Sequence, residues 1–155
     1  MNINKFTQKS MEAVQGCEKI ASDYGNQEIE QEHLLYSLLT MEDSLILKMI
    51  EKMEINQQYF VNKVEEMISK RTKVQGGQSY VGQYLNKVLI SAEDEMKVFG
   101  DEYVSVEHLM LAMIKYPSPS MKELFRENGI TRDKFLQVLS TVRGNQRVTL
   151  SLIHI

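Results

Sequence analysis

The sequence contains an internal repeat with an offset of 75 residues. The stretch 29–39, IEQEHLLYSLL, returns at 104–114 as VSVEHLMLAMI. Such a repeat is considered before any other feature because it decides how many structural units a chain contains. At this offset the match in apolar class has no gaps, and the identical pairs are Gln8/Gln83, Glu18/Glu93, Gly25/Gly100, Glu32/Glu107, His33/His108, Leu34/Leu109, Ile55/Ile130 and Phe60/Phe135. The repeat predicts a fold built from two copies of one unit.

The first copy shows the periodicity of four amphipathic helices. Apolar and small residues recur at spacings of three and four over 6–24, which is typical of one helix face. Gly25 and Asn26 then tolerate positive φ and indicate a helix end. A second helix is predicted to begin near Glu30 with an apolar stripe, a third to be capped by Asp43, and a fourth by Asn56.

The second copy repeats this pattern, with Ser118 and Pro119 starting its third helix and Thr131 capping its last. The predicted fold is therefore all-α, with eight helices arranged as two tandem four-helix repeats packed with pseudo-twofold symmetry. Repeat one covers about 3–70 and repeat two about 81–143. The connector 71–80 contains Gly76-Gly77 and is expected to be flexible.

Charge and cysteine content exclude several classes of protein. The net charge is −3 and the sequence pI about 5.7, which disfavours nucleic-acid binding. Residues 1–70 carry 7 Lys/Arg against 12 Asp/Glu, whereas residues 71–155 carry 11 against 9. The single cysteine fits a reducing compartment, and no apolar run approaches the length of a membrane span. A cytoplasmic protein without membrane contact is predicted.

A family resemblance rests on the doubled Glu-His-Leu signature at a fixed offset. Together with Phe6-Thr7, the turn 25–29 (GNQEI) and the segment 142–149 (VRGNQRVT), it resembles the N-terminal domain of the Clp ATPases. Within that family the ClpB-type disaggregase is the most similar. The likeness covers residues 1–149, of which 144–149 would begin a linker. Residues 150–155 (LSLIHI) depart from the family pattern and are expected to be a non-native tail.

The resemblance implies an accessory domain of a hexameric, ATP-driven chaperone. Its partners would be unfolded or aggregated client proteins, the AAA+ modules of the parent hexamer, and a co-chaperone or adaptor. The chain has no Walker motif, so no enzyme activity and no cofactor are expected of it alone. The alternatives are an adaptor-docking domain of a Clp protease-associated unfoldase and a structural cap that regulates access to the ATPase ring.

The resemblance also implies three substrate-binding residues, Thr7, Asp101 and Glu107. Each has a structural alternative as a helix cap, a turn residue or a partner of the helix dipole. Apolar groove positions of some relatives fall on polar residues here, namely Ser91, Glu95 and His108. The groove is therefore expected near Met96, Val98 and Leu111 or at the seam between the repeats.

Catalytic and metal sites are not expected. His33 and His108 each follow a glutamate, but no second ligand lies four residues on, where a helical zinc motif would require one. Equivalent positions in two copies indicate a repeated structural role for both imidazoles. Cys17 lies on an apolar helix face and is predicted to be buried rather than nucleophilic. The methionines on apolar helix faces are predicted to be core residues.

Overall fold

The computed structural model describes residues 3–143, which form eight α-helices, a short 3₁₀ turn (Ile3–Lys5) and two short strands. The elements of the first half are α1 (Gln8–Asp23), β1 (Glu28–Ile29), α2 (Gln31–Thr40), α3 (Leu45–Lys52) and α4 (Gln57–Ser69). Those of the second half are β2 (Tyr80–Val81), α5 (Gln83–Val98), α6 (Val106–Lys115), α7 (Pro119–Glu127) and α8 (Arg132–Arg143).

The two halves have the same helix order and nearly the same helix lengths. Helices α1 to α4 contain 16, 10, 8 and 13 residues, and α5 to α8 contain 16, 10, 9 and 12. The predicted all-α fold with eight helices is confirmed. The predicted linker 144–149 and tail 150–155 lie outside the described residues.

Most predicted helix boundaries follow from local side-chain caps. Asn56 accepts from the backbone N–H of Tyr59 at 2.8 Å, and Thr131 accepts from that of Lys134 at 3.1 Å. Ser118 precedes Pro119 at the start of α7 as expected. The predicted cap of α3 was wrong, because Ser44 rather than Asp43 accepts from a first-turn N–H. Asp43 instead takes a positive φ of 54° and pairs with Lys48.

Helices α2 and α6 form the centre of the molecule. Each buries eight of its ten side chains, so the narrow apolar stripe predicted for α2 is in fact a helix buried on nearly all sides. Helix α2 packs against α1 and α4, and α6 packs against α5. The Glu-His-Leu signature opens both central helices.

Each copy docks the start of its first helix on the other copy. Strand β2, just before α5, pairs in parallel with β1 of the first copy. The equivalent segment before α1 forms a parallel bridge between Phe6 and Val104 of the second copy. We call the β1–β2 junction, with the adjoining starts of α2 and α5, seam one. The Phe6–Val104 junction, with the starts of α1 and α6, is seam two. Two tandem copies are thus interlocked, which supports treating 3–143 as one folding unit.

Candidate functional site: the two seams between the copies

Seam one is organised by the carboxylate of Glu30, which is 3% exposed. Its Oε1 accepts from the N–H of Gln31 at 3.0 Å and from that of Leu85 at 2.9 Å, while Oε2 accepts from the N–H of Tyr84 at 3.1 Å. One side chain therefore satisfies the N-termini of two helices, α2 and α5, which belong to different copies. Burial raises the pKa of this carboxyl, whereas the N–H groups of Tyr84 and Gln31 lower it.

The close approach of Glu30 requires a glycine on the opposite side. A Cβ added at Gly82 would lie 2.1 Å from Glu30 Oε2. Gly82 is the N-cap of α5 and has no side chain to cap it, so Glu30 supplies the missing acceptor. At the equivalent position in seam two, Thr7 caps α1 with its own hydroxyl, which accepts from the N–H of Ser10 at 3.2 Å. The N-terminus of α1 is thus capped by Thr7, whereas that of α5 is capped by Glu30 of the other copy.

Gln31 makes a second set of hydrogen bonds between the two copies. Its buried amide donates to the carbonyls of Tyr84 and Tyr116 at 3.1 and 2.8 Å, and its Oε1 accepts from the N–H of Ser118 at 2.9 Å. These contacts fix the start of α5 and the loop before α7 against the start of α2. The equivalent residue of the second copy is the apolar Val106. Val106 cannot make these hydrogen bonds, so seam two lacks this amide link.

A cleft of about 500 Å³ opens along seam one. Its acidic wall is formed by Glu28, Glu30 and Glu32, with the guanidinium of Arg71 between Glu28 and Glu32 at 2.7 and 2.8 Å. The remainder of its lining is formed by the start of α5 and the start of α7: Tyr80, Val81, Gly82, Gln83, Tyr84, Ser118, Pro119 and Ser120. Three carboxylates face one cation, so the cleft favours a positively charged or hydrogen-bond-donating occupant.

Glu32, which lines this cleft, has one buried oxygen that lacks a partner among the described residues. Glu32 is 3% exposed, and within the described part of the chain its Oε1 has no hydrogen-bond donor, whereas its Oε2 is held by Arg71. A buried carboxylate oxygen without a donor is costly, so an N–H group that reached it would be favoured. Arg71 is 22% exposed at its side chain, so the pair lies at the edge of the cleft rather than deep in the core.

The histidine of each signature has a structural role, as predicted. In the first copy, His33 Nδ1 accepts from the N–H of Glu30 at 2.9 Å, so Nε2 carries the proton and donates to Asn26 Oδ1 at 2.9 Å. In the second copy, His108 Nδ1 accepts from the N–H of Ser105 at 2.8 Å, and Nε2 faces Asp101 Oδ2 at 2.7 Å. Burial and the nearby Arg71 lower the pKa of His33 to about 4.

The predicted site residues Thr7, Asp101 and Glu107 all lie in seam two, where Asp101 and Glu107 share contact with Arg143 and Thr7 bonds to Val104. The Thr7 N–H donates to the Val104 carbonyl at 2.9 Å, and Ser10 Oγ donates to the same carbonyl at 2.7 Å. Thr7, Asp101 and Glu107 are buried, with 2%, 7% and 0% of their surface exposed. Their substrate-binding role stays a prediction, and in this conformation their polar atoms are turned inward.

Arg143, at the end of α8, lies against both acids of seam two. Its guanidinium pairs with Asp101 Oδ1, lies 3.7 Å from Glu107 Oε2 and stacks over the Phe99 ring with 5.0 Å to the centroid. Glu107 also accepts from the hydroxyl of Ser105. The side chain of Arg143 is 5% exposed, against 22% for Arg71 in seam one. Arg143 is therefore enclosed, whereas Arg71 is partly exposed to solvent.

The groove expected near Met96, Val98 and Leu111 is not formed by those residues together. Met96 and Leu111 are core residues, and only Val98 reaches the surface, with 73% of its area exposed. Ser91, Glu95 and His108, the polar replacements at groove positions, are buried as well. The other expected location, the seam between the repeats, has the cleft described above.

Cys17 is buried, as predicted, and its thiol is not activated. Burial raises the pKa of the thiol to about 12, and the sulfur lies 3.4 Å from the Ala13 carbonyl oxygen. A thiol in this state is a small apolar side chain and a poor nucleophile.

The residues that define seam one are not apparent from the repeat or from local sequence patterns. Glu30 and Gln31 have no identical counterpart in the second copy, and Arg71 lies in the predicted connector. A signal was available at Gly82, because a glycine where the first copy has a capping threonine requires an acceptor from elsewhere.

Comparison with known proteins assigns the family. The protein-family model for the Clp repeat (R) N-terminal domain matches residues 5–128 of this chain. The ClpB chaperone of Nitratidesulfovibrio vulgaris is 38% identical over 155 residues, and that of Bacillus anthracis is 36% identical over 154. The chain belongs to the Clp N-terminal domain family. Each alignment covers 96% of the chain but 18% of the relative, so the chain spans less than a fifth of the length of these chaperones.

Solved structures show the same fold at low sequence identity. The Hsp104 N-terminal domain of Candida albicans matches with a TM-score of 0.84 at 19% identity, covering 97% of this chain and 99% of that one. A complex of a ClpV N-domain with a VipB peptide matches with a TM-score of 0.70 at 18% identity, covering 93% and 90%. The resemblance to ClpB-type N-domains expected from the sequence is confirmed. Within the described residues of this Clp N-domain, no helix is long and apolar enough to cross a membrane.

Proposed function

We propose that this Clp N-domain binds unfolded or aggregated polypeptide segments for an ATP-dependent ClpB-type disaggregase, and that seam one is where they bind. The full-length relatives are chaperones, and the cleft joins three acidic side chains to exposed aromatic rings. Weak contact would suffice, because several domains carried on one hexamer add their affinities through avidity.

The observation that carries the proposal is the acidic cleft of seam one, whose wall includes Glu32 with one buried oxygen that lacks a donor among the described residues. A client segment lying in the cleft brings backbone N–H groups, and often lysine or arginine side chains, to this carboxylate. The rings of Tyr80 and Tyr84 are 53% and 39% exposed, so they offer apolar contact beside it. A polar anchor flanked by apolar surface accepts many sequences, as a chaperone requires.

The proposal extends to seam two, where Glu107 is the counterpart of Glu32. We propose that Thr7, Asp101 and Glu107 contact clients only after Arg143 leaves its position between the two acids. Seam one then acts as the accessible site and seam two as a closed one. Displacing a guanidinium that is paired with buried carboxylates costs free energy, so clients should bind seam one more tightly than seam two.

The test is the affinity of the chain for a permanently unfolded test protein, measured by fluorescence anisotropy. Glu32→Gln keeps the shape but removes the charge and one acceptor, and it should weaken binding about tenfold, since a charge-assisted hydrogen bond contributes about 1.5 kcal/mol. Glu18→Gln, an exposed residue of α1, is the matched control and should leave the affinity unchanged. Equal effects of the two variants would reject seam one as the site.

A second candidate is docking of one dedicated partner, as in the alternative of a protease-associated unfoldase. It is favoured by the ClpV N-domain, a structural neighbour that was solved with a VipB peptide. Capture from a native lysate separates the candidates, because many bound clients indicate general binding and one stoichiometric protein indicates an adaptor. We further propose that the isolated domain has no ATPase activity and works beside AAA+ modules in the cytoplasm.

A further inference from the structure

A groove of about 610 Å³ lies between the end of α6, helix α7 and the start of α8, apart from the lining of the seam one cleft. Its floor is apolar, with Ile114, Pro117, Phe125 and Ile130. Its rim holds Lys115, Lys122, Arg126 and Arg132, and no carboxylate is among its described lining residues. Lys87 of α5 adds a further cation beside it, because its Nζ lies 4.5 Å from the centre of the Tyr116 ring.

The cations of this groove differ in how they are neutralised. Arg132 is held by both oxygens of Glu95 at 2.7 and 2.8 Å, and Arg126 pairs with Glu123. The lysines Lys87, Lys115 and Lys122 are exposed, and among the described residues none of the three has an ion pair with a carboxylate. Two of them converge on one exposed ring, since Lys115 Nζ also lies 5.5 Å from the Tyr116 centroid.

The internal repeat provides a reference for this charge. At the offset of 75 residues, the first copy replaces Lys87, Lys115, Lys122, Arg126 and Arg132 by Glu12, Thr40, Leu47, Glu51 and Gln57. The apolar floor is kept, because Phe125 and Ile130 correspond to Ile50 and Ile55. The same groove framework is thus basic in one copy and neutral to acidic in the other. A general need for solubility would not make one copy basic at five equivalent positions.

We infer that this basic groove binds polypeptide segments in which acidic side chains flank an aliphatic or aromatic residue. The apolar residue contacts the floor beside Tyr116, while carboxylates reach Lys115 and Lys122 across the rim. Charge complementarity selects this occupant. The acidic wall of seam one lies on the far side of the Tyr116–Ser120 loop and repels a long polyanion such as nucleic acid. The inference does not depend on client binding at seam one.

The test uses the intact chain and a fluorescein-labelled peptide in which glutamates alternate with leucine and phenylalanine. At low salt the peptide should bind, and the backbone amide shifts that it causes in the isotope-labelled chain should map to 114–132. Lys115→Gln/Lys122→Gln should weaken binding about fivefold, as expected from two partly screened ion pairs, and added salt should do the same. The double variant Lys52→Gln/Lys97→Gln removes the same charge from exposed positions outside the groove lining and should leave binding unchanged.

Several results would overturn the inference. These are equal loss in both double variants, shifts that map away from the groove, or equal binding of a peptide with lysines in place of the glutamates. Tighter binding of a single-stranded oligonucleotide at the same residues would assign the groove to nucleic acid instead. Self-association of the chain through these residues, seen by sedimentation, would assign it to a second copy.

Discussion

Seam one and seam two descend from the same local design and differ in how they are closed. In both, a glutamate and a histidine open a central helix, and an arginine at or just beyond the end of a repeat's fourth helix pairs with the glutamate. Seam one uses Asn26 opposite its histidine and leaves Arg71 at the surface. Seam two uses Asp101, and its Arg143 is enclosed with it.

The comparison teaches that two differences decide whether a carboxylate is available. One is the residue at the position of Asn26 or Asp101. The other is the place of the arginine, because Arg143 corresponds to Ile68 rather than to Arg71 at the offset of 75 residues. A second acid at position 101 gives the arginine another partner, so Arg143 is drawn inward over Phe99. Asn26 cannot do this for Arg71, which binds the surface residue Glu28 instead. Within the described residues one buried oxygen of each glutamate lacks a hydrogen-bond donor, but Glu32 lines a cleft, whereas Glu107 is enclosed with Arg143.

The largest expected effect comes from replacing Gly82, the glycine that seam one has where seam two has Thr7. Gly82→Ala would force the Glu30 carboxylate away from the N-termini of α2 and α5, because the new Cβ overlaps Oε2. We expect a loss of about 3 kcal/mol in the free energy of unfolding, since a buried charge loses several hydrogen bonds. Urea denaturation followed by circular dichroism measures it. A loss below about 1 kcal/mol would show that Glu30 can cap both helices from another position.

A smaller effect is expected from pH, and it concerns His33. The pKa of His33 is lowered to about 4, below its ordinary value near 6.5, so between these values the unfolded chain binds more protons. Stability is therefore lost as pH falls through this window, by about 2 kcal/mol between pH 7 and pH 5 from this residue.

Urea denaturation of the parent chain and of His33→Gln at both pH values measures this contribution. The variant should lose the part of the pH dependence that His33 supplies. Asn26→Asp, which copies seam two, should raise the pKa of His33, because a carboxylate favours the imidazolium. The same pH dependence in the parent chain and in His33→Gln would contradict this account.

The smallest expected effect concerns the cap that seam two makes for itself. Thr7→Ala removes a hydroxyl that accepts from the N–H of Ser10 and donates to its Oγ in the first turn of α1, and it should cost about 1 kcal/mol. Thr72→Ala, at an exposed connector position, is the matched control and should cost close to nothing. Denaturation midpoints of the two variants give the comparison. A Thr7→Ala loss as large as that of Gly82→Ala would mean that the two helix starts are capped equally strongly.

The sequence predicted features that depend on neighbours in the chain, and it missed those that depend on distant ones. Asn56 and Thr131 were recognised as caps because each bonds an N–H three residues ahead. Asp43 was chosen wrongly over the adjacent Ser44, since both residue types cap helices and only backbone geometry distinguishes them. The repeat predicted the all-α fold because it constrains the whole chain.

The site could be predicted only in part for the same reason. The contact of Glu30 with Leu85 spans 55 residues, and that of Gln31 with Tyr116 spans 85. Neither is visible in local patterns. The family resemblance named Thr7, Asp101 and Glu107, but only the fold shows that they share one seam and that Arg143 encloses Asp101 and Glu107. The accessible cleft lies at the equivalent position in the other copy, which is seam one.

The most direct test of the account is a titration of the isotope-labelled chain with an unfolded test protein, reading backbone amide shifts. Client binding at the accessible seam predicts that the first shifts appear at 28–32 and 80–84. Shifts at Thr7, Asp101 and Glu107 should follow only at higher concentration, or earlier when Arg143→Gln opens seam two. Early shifts at these three residues in the parent chain, with 28–32 and 80–84 unchanged, would contradict the account.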